Sequence, residues 1–230
     1  MPVWTVPVLL AFIPGLFWVA YFYHQDIYEP EPKWFIIKVF FLGALSVLPA
    51  AGLEKLILLF LPQQQIPEDH LSLLAFCFLV IGLIEEISKY LAVYYLMYKN
   101  PEFDEQPMDG LLYGVTAGLG FAALENFFYA ANFGLATGAV RAVVTSLAHA
   151  SFSGIMGYNL GLARLLPSKS VYFIVKGLVL AVLLHGLYDF VFLSRILPWI
   201  TTAPLIFLMI WQLFRRFQAA RLDSNFRGRK

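Results

Sequence analysis

Apolar residues fall into seven blocks along this chain, separated by short polar loops. They cover residues 3–23, 34–61, 71–98, 108–133, 138–166, 171–193 and 198–214. Each approaches or exceeds the ~20 apolar residues that cross a bilayer as a helix. Backbone inside lipid must satisfy its own hydrogen bonds, which leaves helices as the spanning element. The pattern predicts an all-α fold, a polytopic transmembrane helical bundle of about seven spans. The count runs from six to eight because the second block is ambiguous. It contains Pro49, then Glu54 beside Lys55, read as a kinked or partly re-entrant stretch with a charge pair at its end.

The third block breaks the apolar pattern in its middle with Glu85, Glu86 and Lys89. A charge at the bilayer centre costs at least ~2.5–3.5 kcal/mol on insertion scales and marks function there. Other blocks repeat the anomaly at comparable depth: Glu125 and Asn126 in the fourth, His149 in the fifth, His185 and Asp189 in the sixth. Successive spans alternate direction, so positions near their midpoints meet near one plane. Residues four apart share a helix face, as do Glu85 with Lys89 and His185 with Asp189. Glu85 and Glu86 point ~100° apart on a helix of 3.6 residues per turn, so one faces the cavity while the other turns toward Lys89 or a neighbouring helix. Gly110, Gly114 and Gly118 repeat every four residues, a spacing that lets helix backbones approach closely.

Composition agrees with a membrane protein. The chain is 60% hydrophobic and 13% charged, against ~25% charged for a soluble domain. A net charge of +1 provides no basic field, and nucleic acid is not expected as a partner. Cys77 is the single cysteine and reads as a small core residue. The first block lacks a basic leader and a cleavage site, so it reads as a retained span. Arg164 and Lys169 in one loop, and the arginine-rich C-terminal tail, set the cytoplasmic side. With seven spans the N-terminus is then outside. Residues 1–218 form the integral membrane domain, and 219–230 a basic cytoplasmic tail expected to be disordered beyond ~220.

From the residues alone three classes stay open: an enzyme, an ion or proton pathway, and a non-catalytic scaffold. One cluster of charges, with no internal repeat, favours the enzyme over the pathway. The segments GLIEEISKY, FDEQPMDGLLYGVTAGLGFAALENFFY, SLAHASFSGIMGYNLGLAR and LLHGLYDF resemble the PrsW family of bacterial intramembrane proteases, along nearly the whole chain. That family is similar to a larger group holding the type II CAAX prenyl endopeptidases and the scaffold subunit of gamma-secretase. The resemblance implies a multi-pass protein of the bacterial plasma membrane and a protease domain over 1–218. It also implies site-one cleavage of a single-span anti-sigma factor, which releases a sigma factor for envelope-stress genes.

Carried over by motif, Glu85, Glu86 and Lys89 match the group's glutamate pair and basic residue, and His185 with Asp189 matches its last motif. The group's middle motif is Phe-x-x-x-His. Here Phe121 is followed at that spacing by Glu125, and His149 of the next span is the imidazole left to take the missing place. There is no G-x-S-x-G and no H-E-x-x-H, which leaves direct attack by water. In this reading Glu86, helped by Glu85 or His149, is the general base. His185 and Asp189, with Asn126 assisting, polarise or protonate the scissile carbonyl. That route needs no cofactor. The alternative is a zinc enzyme in which Glu86, His149, His185 and Asp189 hold the metal.

Overall fold

The computed structural model describes residues 4–28, 30–61, 65–99, 107–196 and 202–227. The acidic loop around 100–106, the start of the seventh block and the last three residues lie outside the described residues. Among those described, all regular structure is helical. Helix α1 is Thr5–Tyr23, α2 is Lys33–Leu45 and α3 is Val47–Leu58. Then come α4 (His70–Phe76), a π-helical segment (Cys77–Gly82) and α5 (Leu83–Lys99), running as one rod. Helices α6 (Pro107–Phe133), α7 (Leu135–Leu165), α8 (Ser170–Leu193) and α9 (Thr202–Arg227) complete the chain. Six segments are long and apolar enough to cross a membrane. With α9, whose Met209, Leu213 and Phe217 are buried in the core, the bundle has about seven spans.

The second block is interrupted at Ser46, within the turn preceding Pro49. Ser46 separates α2 from α3, and its hydroxyl donates to the Gly43 carbonyl at 2.7 Å. Pro49 lacks the N–H that would bond the Leu45 carbonyl one turn back, and the helix is interrupted between the two. At the start of α4, Asp69 accepts from the Ser72 amide at 2.9 Å, an N-cap that holds this carboxyl below the usual carboxylate range. The C-terminal tail departs from expectation: α9 continues as helix through Arg227 instead of losing order near 220.

The centre of the bundle is the α6–α7 hairpin, turned at Gly134. Its φ of 94° is open to glycine and strained for other residues. The two helices touch backbone to backbone. A Cβ on Gly114 would overlap the Ser153 carbonyl oxygen, and one on Gly118 would come within 2.6 Å of the His149 carbonyl oxygen. Gly43 and Gly120 bring α2 equally close to the other side of α6. These contacts fix where Glu125 and His149 stand relative to each other. On the far side the π segment meets α8 at Gly82 and Gly186, setting α5 against His185.

Candidate functional site

Four helices deliver their ionisable residues to one place. Helix α5 brings Glu85, Glu86 and Lys89, α6 brings Glu125, α7 brings His149, and α8 brings His185 and Asp189. The two glutamates part company. Glu86 and Lys89 are 0% exposed and lie behind the cavity wall. Glu86 Oε1 is 2.6 Å from Lys89 Nζ and 2.9 Å from His185 Nδ1, and the Ser153 hydroxyl reaches Oε2 at 3.4 Å. Glu85 instead lines a cavity of about 360 Å³, together with Glu125, His149, His185 and Asp189. The carboxylate facing the cavity is therefore Glu85, while Glu86 is held by Lys89 and His185. The π segment just ahead of the pair sets this rotation, and such turns often mark functional sites.

Each imidazole is fixed at both nitrogens or at its face. A carboxylate can only accept, so His185 Nδ1–H donates to Glu86. His185 Nε2 is then left facing Asp189 Oδ2 at 3.3 Å and Glu85 Oε2 at 3.6 Å. The ring stacks on Phe152, centroids 4.8 Å apart. His149 Nδ1 is 2.8 Å from Lys89 Nζ, and its Nε2 is 3.1 Å from Glu125 Oε2. The Lys89 ammonium also sits 4.3 Å over the Phe121 ring, so the aromatic of the Phe-x-x-x-Glu motif braces the buried cation. Asn126 turns away from the cavity and donates to the Ser146 hydroxyl at 3.2 Å. Its geometry is that of an α6–α7 tie.

Two oxygens stand out. Glu85 Oε2 and Asp189 Oδ2 are buried and make no hydrogen bond, although Glu85 Oε2 is ion-paired with Lys89 Nζ at 3.4 Å. Buried polar atoms without a partner are uncommon and costly. Both flank His185 Nε2, so three donor or acceptor sites converge on one point of a cavity roomy enough for water. Glu85, His149 and His185 offer ligand atoms within 4.8 Å of one another. Tetrahedral zinc with ~2.0–2.1 Å bonds to N and O ligands sets donors about 3.3 Å apart. The 3.3, 3.6 and 4.0 Å separations around Glu85 Oε2 and His185 Nε2 are close to that. Charge points the same way. Glu54, Glu85, Glu86, Glu125 and Asp189 supply five carboxyl groups against the cations Lys89 and Arg141. A cation or bound protons would offset that excess at membrane depth. The donor set is thus spaced for a metal, with Glu85 on the cavity side where the zinc alternative named Glu86, and with Lys89 now on the His149 Nδ1 that would be a ligand.

Two residues of the cavity carry no signal in the sequence. Glu54, read as a span-end group, reaches from α3 into the wall, with Oε1 buried and free of hydrogen bonds. Arg141 of α7 pairs with Glu125 at 2.7 Å. Both lie near the ends of apolar blocks, where charge is ordinary, and only the break at Ser46 and the register of the α6–α7 hairpin turn them inward.

Over residues 31–214 the chain matches the family described as PrsW family intramembrane metalloprotease. It is 37% identical to Protease PrsW of Geobacillus kaustophilus over 182 residues, 79% of this chain and 77% of that one. Protease PrsW of Bacillus subtilis is 34% identical over 210 residues, 90% of this chain and 92% of the relative. Protease PrsW of Clostridioides difficile is 31% identical over 215 residues, covering 89% and 87%. No solved structure matches the chain.

Proposed function

The chain belongs to the PrsW family of intramembrane metalloproteases, and from that premise we propose that it cuts a single-span, membrane-anchored anti-sigma factor at the first of its cleavage sites, freeing a sigma factor for envelope-stress genes. The carrying observation is the convergence of Glu85 Oε2, His185 Nε2 and Asp189 Oδ2, the two oxygens without hydrogen bonds, on one spot of a membrane-depth cavity. The family resemblance of the motifs supports the substrate class, and the basic C-terminal tail supports a cytoplasmic C-terminus.

In the mechanism, a water held between Glu85 and His185 attacks the scissile carbonyl. Glu85 takes its proton. Glu85 then passes that proton to the leaving nitrogen as the C–N bond breaks, while the lone pair of His185 Nε2, beside Asp189 Oδ2 at 3.3 Å, accepts the water's other hydrogen and holds it for attack. Glu86 keeps that imidazole in place through Nδ1, as an outer carboxylate does. Lys89 neutralises Glu86 and tempers the charge of Glu85. In the alternative with zinc, Glu85, His149 and His185 would be its ligands once Lys89 leaves His149 Nδ1, and the metal would supply carbonyl polarisation and a more acidic water in place of Glu85 as base. Helix packing excludes bulk solvent from these groups, which strengthens each electrostatic contact.

The test is co-expression of candidate single-span anti-sigma factors with wild type and with Glu85→Gln. A shortened product that depends on Glu85 supports the proposal. Equal processing by the two proteins rejects it.

A further inference from the structure

Arg141 belongs to none of the motifs that mark the site, yet it reaches the site by a short chain of contacts. It stands eight residues before His149 on α7, with 15% of its side chain exposed, in the cavity wall. Its Nη2 is 2.7 Å from Glu125 Oε1, and its guanidinium lies 3.6 Å over the Tyr129 ring. The other Glu125 oxygen is 3.1 Å from His149 Nε2. Lys89, as an ammonium, can only donate, so His149 Nδ1 accepts at 2.8 Å and the ring proton sits on Nε2. The Glu125 carboxylate stands beside that proton, close enough to pair with it but not in line for a hydrogen bond.

We propose that Arg141 is a positioning residue for peptide cleavage: it clamps Glu125 beside His149 Nε2 so that this carboxylate fixes the ring orientation of His149, keeping the Nδ1 lone pair on Lys89. The residue type suits the task. A guanidinium is planar, stays charged, and can pair with a carboxylate while stacking on an aromatic ring, which an ammonium does not reproduce. Glu125 without the clamp is a carboxylate in a partly apolar cavity with several carboxyl neighbours, free to turn from His149. Tyr129, one turn after Glu125 on α6, holds the guanidinium from the other side. The sequence Tyr129, Arg141, Glu125, His149 thus joins the hairpin's turn end to the reacting centre.

This inference rests on reading the cavity as the peptidase site, and the experiment separates the two. Full-length protein in detergent, labelled with 15N-histidine, gives signals from four histidines. His149→Gln assigns one of them. Wild type is expected to show His149 protonated at Nε2, and Arg141→Gln a shifted and broadened Nε2–H signal as Glu125 turns away, with Lys89 still bonded to Nδ1. On a fluorogenic single-span peptide cleaved by wild type, Arg141→Gln lowers kcat ~10–100-fold with KM unchanged, in the range seen for residues behind a reacting imidazole. Arg141→Lys falls between. Arg141→Gln combined with Glu125→Gln is no slower than Glu125→Gln alone, because both act through one path. A wild-type Nε2–H signal and rate in the Arg141 variants overturn the inference. So do additive losses accompanied by a lower melting temperature, which assign Arg141 to bracing the bundle. If wild type cleaves no substrate, the peptidase reading falls while the spectra still decide the role of Arg141.

Discussion

His185 Nδ1 lies 2.9 Å from Glu86 Oε1, so the glutamate buried behind the wall decides how the histidine in the cavity is held. Glu85, one residue earlier, meets the same imidazole from the cavity side, 3.6 Å from Nε2. Adjacent carboxylates thus take opposite nitrogens of one ring. Their neutral variants should differ in kind. Glu85→Gln removes the base and is expected to lower turnover ~10²–10⁴-fold with the fold intact. Glu86→Gln keeps the base but loosens the ring, with a loss nearer ~10–100-fold and a fall in stability. Single-turnover cleavage and thermal melting on the same preparations check both.

Lys89 is fully buried and meets three acceptors: Glu86 at 2.6 Å, His149 at 2.8 Å and Glu85 at 3.4 Å. Removing one member of a buried pair leaves its partner uncompensated, typically costing ~3–5 kcal/mol. Lys89→Met should therefore reduce accumulation in the membrane and lower the melting temperature. The exposed Lys176→Met, on the outward side of α8 over Tyr172, should do neither. Quantitative immunoblots of membranes and melting curves in detergent read the contrast.

The hairpin's glycines predict a second contrast. Gly118→Ala places a methyl 2.6 Å from the His149 carbonyl oxygen and must push α7 away from α6. That moves His149 relative to Glu125, so cleavage should fall together with stability. Gly52 in α3 faces open space, and a methyl there would meet nothing within 4 Å. Gly52→Ala should be neutral or stabilise by up to ~1 kcal/mol, the usual gain in helix propensity. Parallel melting curves and cleavage rates for the two variants test the packing account.

Much of this architecture is legible in the hydropathy pattern, because lipid forces each apolar block to be a helix. The gathering of Glu85, Glu125, His149, His185 and Asp189 is legible too, since midpoints of alternating spans share a plane. The small-residue spacing on α6 announces the close hairpin. What one-dimensional spacing does not carry is rotation. A π turn from Cys77 to Gly82 shifts the phase of α5, and with it which glutamate enters the cavity. Asn126 shows the same limit: its depth is right, but its azimuth points at Ser146. Glu54 and Arg141 stay hidden because charge near a block's end is unremarkable until a helix break or a tight turn redirects it.

The rotation of α5 has a consequence for metal binding. Glu85, His149 and His185 form the donor group, whereas Glu86 is taken by Lys89 and His185 Nδ1. In full-length protein stripped by chelator and titrated with zinc against a competing indicator, one equivalent is expected to bind. Glu85→Gln and His149→Gln should each weaken that binding at least as much as loss of a supporting residue does, ~10–100-fold. Glu86→Gln should weaken it less than Glu85→Gln, since it removes a hydrogen bond to a ligand and not a ligand. Lys89→Gln should strengthen it: the ammonium lies 2.8 Å from His149 Nδ1 and 3.4 Å from Glu85 Oε2, where it both occupies the lone pair and repels a second cation. Stronger dependence on Glu86 than on Glu85 would return the metal to the other side of α5 and remove the geometric basis for Glu85 as the cavity carboxylate.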